Sequence, residues 1–165
     1  KLKTRDLEVL GVLVTELVAE SENNTLKFLS LLTERLYTSI EKESRTEPGI
    51  RSPYETLCTG KGACRDLAII FIAACHQVGI PARFVSGYQE GNPAEPHWDL
   101  HAWAEVFLPG FGWRGFDPTH GLAVADKHVV IAAASVPENT FPLAGSYRGT
   151  GARSTLDHNI KIRVR

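Results

Sequence analysis

The sequence has no excess of charge of one sign and no long apolar run. Lysine and arginine total 18 against 19 aspartates and glutamates, a formal net charge of −1, so no basic surface points to nucleic acid as a partner. No apolar run reaches the roughly 20 residues that a membrane-spanning helix needs, and no secretory signal is recognisable at the start. We therefore expect a globular domain that binds neither nucleic acid nor membrane.

Cysteine is scarce and methionine is absent. The three cysteines, Cys58, Cys64 and Cys75, are too few and odd in number for a disulfide framework, which favours a reducing compartment, the cytoplasm. Because a natural chain starts with methionine, we expect these 165 residues to be a fragment, the carboxy-terminal part of a longer protein. The length corresponds to about one domain, and the 43% apolar content supports a single core.

Helical periodicity dominates the first half of the chain. Apolar residues at helical spacing predict helices at about Asp6–Ala19 and Thr25–Glu41, and proline and glycine predict a loop over Glu47–Pro53. A third helix is predicted at Arg65–Val78, ended by Gly79. This third helix is apolar on nearly every side, so we expect it to be buried.

Strand patterns dominate the second half. The strands are predicted at Arg83–Tyr88, Leu100–Leu108, Trp113–Asp117, His128–Ala132, Ser146–Gly149 and Asn159–Val164. Pro109–Gly112 is typical of a hairpin loop between the second and third of them. Since helices precede strands, we predict an α+β fold in which the buried helix packs on an antiparallel sheet.

Cys64 follows Gly60 and Gly62 and opens the buried helix. Free N–H groups and the helix dipole lower the pKa of a thiol at such a position, and they can also hold the oxyanion of an acyl intermediate. A small buried thiol without chemistry is the plainer interpretation. Cys75 lies in the middle of the helix and is expected to be inert, whereas Cys58 has no role that we can assign.

His101 and Asp117 lie on either side of the predicted hairpin loop. A symmetric loop at Pro109–Gly112 sets Asp117 opposite Ala104, three residues from His101, so we expect a bulge or looser loop to bring the two together. An aspartate beside a histidine fixes the tautomer of the ring and stabilises the imidazolium, as in a catalytic triad. A structural histidine is the alternative for His101 taken alone.

Two further patterns near these residues have ordinary explanations. His97, Asp99 and His101 alternate, and on a strand they share a face that could bind zinc. His101 is better explained as a catalytic base, so we expect no metal. Asp66, in the first turn of the third helix, either takes part in the site or only complements the helix dipole.

Four blocks, in this order, resemble the motifs of bacterial transglutaminase-like proteins described as cysteine proteases. The blocks are Gly62–Ala68, Gly79–Tyr88, Asp99–Val106 and, together, Gly112–Trp113 with Phe116–Thr119. They fall within Ser52–Gly121 and are far more specific together than any one alone. The resemblance implies a papain-related α+β fold, a transglutaminase-like domain over residues 1–165, and a Cys-His-Asp triad at Cys64, His101 and Asp117.

The implied activity is acyl transfer from an amide through a thioester, without a cofactor. Capture of the thioester by water makes the protein a cysteine peptidase or amidase that acts on peptide or isopeptide bonds, which we favour. Capture by an amine makes it a protein-glutamine transglutaminase, and the same triad serves both reactions. A non-catalytic binding module of the same fold is the rival class. We expect a peptide or protein substrate and make no prediction of oligomeric state.

Metal independence follows from the role given to His101. We predict that EDTA leaves thiol-dependent amide hydrolysis unchanged, within about twofold, because the triad needs no ion. The measurement is turnover before and after dialysis against the chelator, with the zinc content determined in parallel. Stoichiometric zinc that is lost together with activity would contradict the triad.

Overall fold

A computed structural model describes residues 2–45, 47, 49–90, 100–141, 145, 148–149, 151, 153 and 155. In chain order the elements are α1 (Thr4–Ser21), α2 (Thr25–Ser39), β1 (Glu41–Lys42), α3 (Pro53–Thr59), β2 (Lys61–Gly62), α4 (Cys64–Gln77), β3 (Ala82–Gln89), β4 (His101–Leu108), β5 (Gly112–Asp117), β6 (Leu122–Ala123), β7 (His128–Ala134) and a 3-10 turn (Pro137–Thr140). Across these residues, no helix is both long and apolar enough to cross a bilayer.

The three predicted helices are present as α1, α2 and α4, but the loop predicted over Glu47–Pro53 ends sooner than expected. Helix α3 begins at Pro53, and Ser52 and Glu55 each accept a hydrogen bond from the backbone N–H of the other, at 3.3 and 3.0 Å. Serine, proline and glutamate at this spacing are a helix-start signal. Cys58 therefore lies on a helix rather than in a loop.

Helix α4 is the centre of the core, as its sequence predicts. Ile70, Phe71 and Ala74 are fully buried. One face of α4 packs on β3 and β4, and the remaining contacts are with α1, α2 and α3. Burial of this many apolar side chains is the main stabilising contribution in a domain of this size.

The main sheet has five strands in the order β6-β5-β4-β3-β7, and all neighbours run antiparallel. Strands β1 and β2 form a separate parallel pair just before Cys64. The predicted α+β architecture, with the helix that carries the cysteine packed on an antiparallel sheet, is confirmed. The strand predicted at Asn159–Val164 lies outside the described residues, as does half of the one at Ser146–Gly149, whose described residues are not in a strand.

The hairpin between β4 and β5 has a different register from the one expected. The turn is one residue shorter, Pro109–Phe111, so Leu108 pairs with Gly112 and Ala104 pairs with Phe116. Asp117, one residue further along, reaches the level of Trp103. His101 then lies diagonally across on the same face, within side-chain reach, and the expected bulge in this hairpin is not needed.

Gly87 permits close packing next to the site. It pairs with His101 on β4, and the register of β3 with β7 shifts between Ser86 and Gly87. A methyl group at Gly87 would lie 2.6 Å from the ring of Trp103 and would overlap the carbonyl oxygen of Val129. Glycine therefore lets the ring of Trp103 and the backbone of β7 lie close to β3 at the residue that pairs with His101.

We predict that Gly87→Ala lowers the free energy of unfolding by about 2 kcal/mol or more, because backbone and an indole ring on two strands must move. Gly11→Ala in α1 is the matched control, since a methyl group there meets nothing within 4 Å. That change should raise stability by about 0.5–1 kcal/mol, the helix propensity difference. Urea denaturation followed by circular dichroism measures both, and equal effects of the two variants would contradict the packing argument.

Candidate active site

Cys64 is the first residue of α4, and Ala63 is its N-cap. The thiol is partly buried, and its sulfur accepts hydrogen bonds from the backbone N–H groups of Arg65 and Ala102. Helix α4 thus directs its positive end at the sulfur, while β4 supplies a second N–H from the sheet. The helix-start position read from the sequence is the observed one.

Asp66 anchors this end of the helix. Its carboxylate is fully buried and accepts hydrogen bonds from the N–H of Ala63 at 3.0 Å, the N–H of Arg51 at 2.7 Å and the guanidinium of Arg45 at 2.9 Å. The neighbouring Arg65 donates to three carbonyl oxygens of the segment before α3, those of residues 45, 47 and 49. Asp66 therefore does more than complement the helix dipole: it fixes the segment that borders Cys64.

His101 and Asp117 are brought together by the hairpin. His101 opens β4 with its side chain 10% exposed, and Asp117 closes β5 and is fully buried. Nε2 of His101 lies 2.7 Å from Oδ2 of Asp117, and His101 is close enough to Cys64 to lower the pKa of its thiol. The backbone N–H of Thr119 donates to Oδ1 of Asp117 at 2.9 Å. The hairpin therefore places His101 beside both Cys64 and Asp117.

The two buried thiols have pKa values shifted in opposite directions. Burial alone raises the pKa of Cys64, but the hydrogen bond and charge of His101, with the N–H groups of Ala102 and Arg65, outweigh it and the pKa is lowered. Burial raises the pKa of Cys75, which has no such partner. The helix start thus favours thiolate, and the helix interior favours thiol.

His101 and Asp117 stabilise each other's charged form. Burial lowers the pKa of His101, but the hydrogen bonds and charges of Asp117 and Cys64 raise it to about 9. Burial raises the pKa of the Asp117 carboxyl, yet hydrogen bonds from His101, His120 and His128 hold it well below its usual range. Asp117 is therefore an anion at neutral pH, and His101, as a cation beside Cys64, favours the thiolate over the thiol.

Two histidines that sequence reasoning missed also contact Asp117. Nδ1 of His120 lies 2.8 Å from Oδ2, and Nε2 of His128 lies 3.0 Å from the same oxygen. His120 follows Asp117 by only three residues, so a turn predicted after Asp117 would have placed the two side chains close together. No sequence signal points to His128, because its position depends on the pairing of β7 with β3.

The cluster around Asp117 has the donor types of a zinc site. Ligand atoms of His101, Asp117 and His120 lie within 4.8 Å of one another. The ring nitrogens, however, all face Oδ2 at hydrogen-bond distance, and each such bond needs a proton that a metal ligand must give up. The arrangement is that of a network of N–H donors around an anion. His97 and Asp99, the other candidate ligands from the sequence, lie outside the described residues.

A cavity of about 630 Å³ opens beside Asp117, between α2 and the turn after β5. Its walls include Tyr37, Ile40, Lys42, Leu67, Thr119 and His120. Tyr37 lines this cavity, whereas Tyr54 packs under the guanidinium of Arg5 on α1.

Comparison with known proteins gives the same family from sequence and from structure. An uncharacterized protein of Mycobacterium tuberculosis is 29% identical over 142 residues, covering 79% of this chain and 45% of that protein. A protein-glutamine gamma-glutamyltransferase of Pseudomonas aeruginosa is 40% identical over 72 residues, covering 39% of this chain and 11% of that protein. The chain spans less than half the length of these curated relatives.

A solved structure has the same fold. The crystal structure named "a Putative Cysteine Protease" from Cytophaga hutchinsonii superposes with a TM-score of 0.62 at 28% identity, over 76% of this chain and 43% of that one. The model of the transglutaminase-like superfamily matches residues 13–118, a range that runs from α1 to the end of β5 and contains Cys64, His101 and Asp117. The chain belongs to the transglutaminase-like superfamily.

Proposed function

We propose that this protein is a cysteine hydrolase that cleaves amide bonds of peptides or proteins with Cys64 as nucleophile, His101 as base and Asp117 as the residue that orients His101. The observation that supports this most directly is that His101 is hydrogen-bonded to Asp117 at 2.7 Å and lies close enough to Cys64 to lower the pKa of its thiol. The charges of the site favour the reactive state, since the pKa of Cys64 is lowered and that of His101 is raised. No metal or cofactor takes part in this proposal.

The first half of the reaction forms a thioester. The thiolate of Cys64 attacks the amide carbonyl carbon, and the carbonyl oxygen becomes an oxyanion that N–H groups at the start of α4 stabilise. His101 then gives its proton to the departing nitrogen, and the C–N bond breaks as the carbonyl re-forms. The products of this half are a free amine and an acyl group on the sulfur.

The second half returns the enzyme to its starting state. His101, now neutral, takes a proton from water, and the hydroxide formed attacks the thioester. The C–S bond breaks, the carboxylic acid leaves, and thiolate and imidazolium are restored. Because the pKa of His101 is raised to about 9, its proton is available below that pH and is lost as the pH rises through it. The rate of the first half should therefore fall above about pH 9.

Transamidation is the second candidate for this site. The relative from Pseudomonas aeruginosa is named for transfer of a glutamyl group, and its similarity covers 72 residues. Hydrolysis remains our proposal, since Cys64 is only partly buried and water can therefore reach a thioester on its sulfur. A binding module of the same fold is the third reading, and a lowered thiol pKa speaks against it.

One experiment separates the three. Amine-blocked dimethylcasein is incubated with the protein in the presence of dansylcadaverine, a fluorescent primary amine. Hydrolysis releases new amino groups or ammonia without fluorescence on the casein, which is the expected result. Predominant incorporation of the dansyl label indicates a transglutaminase instead. Neither product, with Cys64 shown to be reactive, indicates that casein is not cleaved and favours the binding module.

We predict that iodoacetamide at about pH 6 alkylates Cys64 at least tenfold faster than Cys58 or Cys75. A thiol with the ordinary pKa of about 8.5 is only about 0.3% ionised at that pH, whereas the contacts of Cys64 favour thiolate. His101→Ala should slow the reaction of Cys64, and Cys58→Ser is the control that should not. Brief alkylation followed by peptide mapping gives the rates, and equal labelling of the three thiols would disprove activation of Cys64.

We predict that Asp117→Asn lowers turnover by about 10²–10⁴-fold while the chain remains folded, because a neutral amide neither fixes the tautomer nor balances the charge of His101. Asp126→Asn removes an exposed carboxylate near the start of β7 and is the matched control, with turnover near wild type. Activity of the Asp117 variant within about threefold of wild type would make Asp117 a purely structural residue.

A further inference from the structure

One carboxylate oxygen receives three imidazole rings. Oδ2 of Asp117 lies 2.7 Å from His101, 2.8 Å from His120 and 3.0 Å from His128. Orientation of His101 needs only the first of these bonds. The other two histidines do not contact the thiol, so their function has to be sought at Asp117.

His128 is the more unusual of the two. Its side chain is 1% exposed, and its ring meets Trp103 edge-on with centroids 5.1 Å apart. Nδ1 of His128 has no hydrogen-bond partner among the residues that the structure describes. A proton on Nδ1 would have no acceptor among these residues, whereas Nε2 lies 3.0 Å from the carboxylate oxygen of Asp117. We therefore assign a proton to Nε2, directed at Asp117.

His120 has a different environment. It lies in the turn after β5, its side chain is 29% exposed, and its ring forms part of the cavity wall. Water can therefore reach His120. His128 arrives from the opposite side of the sheet, at the start of β7, where it pairs with Gln89 of β3.

The Asp117 carboxylate depends most on the N–H donor of His128 during the proposed reaction. While His101 is a cation, it balances the charge of the fully buried Asp117 carboxylate. After His101 has given its proton to the leaving nitrogen, it is neutral, and the carboxylate loses its counter-charge. A buried anion then depends on N–H donors, and a neutral donor supplies this without adding a competing cation.

We propose that His128 is a positioning residue that keeps the Asp117 carboxylate directed at His101 through its Nε2–H. This inference rests on the proposed function, since it gives His128 a part in the same triad. It acts through Asp117 and has no contact with the substrate. If His128 served only for packing, any side chain of similar shape could replace it. If it positions Asp117, the replacement must also carry a hydrogen-bond donor.

The test compares two substitutions of His128, one that keeps a hydrogen-bond donor and one that has none. In His128→Gln the side-chain amide can present an N–H near the position of Nε2, whereas His128→Leu keeps apolar volume and has no donor. The readout is the rate of Cys64 alkylation by iodoacetamide at about pH 6, which needs no substrate, together with turnover of dimethylcasein. His76→Leu is the matched control, because His76 bonds the carbonyl of Ala82, away from the triad.

We expect the leucine variant to react about tenfold more slowly, the equivalent of one hydrogen bond to a charged group, and the glutamine variant to stay within about threefold of wild type. The His76 variant should match wild type. Equal rates for the leucine and glutamine variants, whether slow or normal, would overturn the proposal. Fast alkylation of wild-type Cys64 without amide turnover would instead refute the proposed function and leave the comparison at His128 valid.

A second measurement needs no substitution, should the leucine variant fail to fold. Long-range ¹H–¹⁵N spectra of histidine-labelled protein report the tautomer of each ring. His128 is expected to carry its proton on Nε2 and none on Nδ1. A proton on Nδ1, or on both nitrogens, would overturn the assignment, because the donor to Asp117 would then be absent or charged.

Discussion

The burial of α4 is the constraint on which the site depends. Because α4 is apolar on nearly every side, it must lie between the other helices and the sheet, and its axis is fixed by contacts along its whole length. Its first residue, Cys64, is then held at the edge of the sheet where β4 begins with His101. Cys64 and His101 lie close together because α4 fills the core and β4 is part of the sheet that borders it.

Two buried carboxylates, Asp66 and Asp117, stabilise the surroundings of Cys64 and His101, and they have different kinds of partner. Asp66 is paired with the guanidinium of Arg45 and fixes backbone around the helix start. Asp117 is surrounded by three imidazoles and one backbone N–H, none of which is a permanent cation. An ion pair suits a structural anchor, since its charge never changes. A set of several N–H donors suits a carboxylate whose partner His101 gains and loses a proton in the proposed reaction.

Sequence patterns were sufficient for the fold class and for the long helices and strands, and insufficient where strand pairing decides the structure. The periodicity of α4 and the alternation of β4 state directly which side chains are buried, so the α+β fold follows from them. Three features did not follow: the short helix α3, whose serine-proline start was taken for a loop; the register of Ala104 with Phe116; and the arrival of His128 at Asp117. The last two depend on turn length and strand order, which no local pattern encodes.

The length of the turn Pro109–Phe111 determines which residue of β5 lies on the same face as His101. Its side chains face solvent, and Phe111 is 65% exposed, so changes of residue type there should be well tolerated. A change in the length of the turn should be tolerated less well, because side chains alternate between the two faces of β5. One inserted residue would turn Asp117 away from His101 and place the neighbouring apolar residue there instead. A surface hairpin that would ordinarily accept insertions is thereby fixed in length, and grafts that preserve activity belong elsewhere on the molecule.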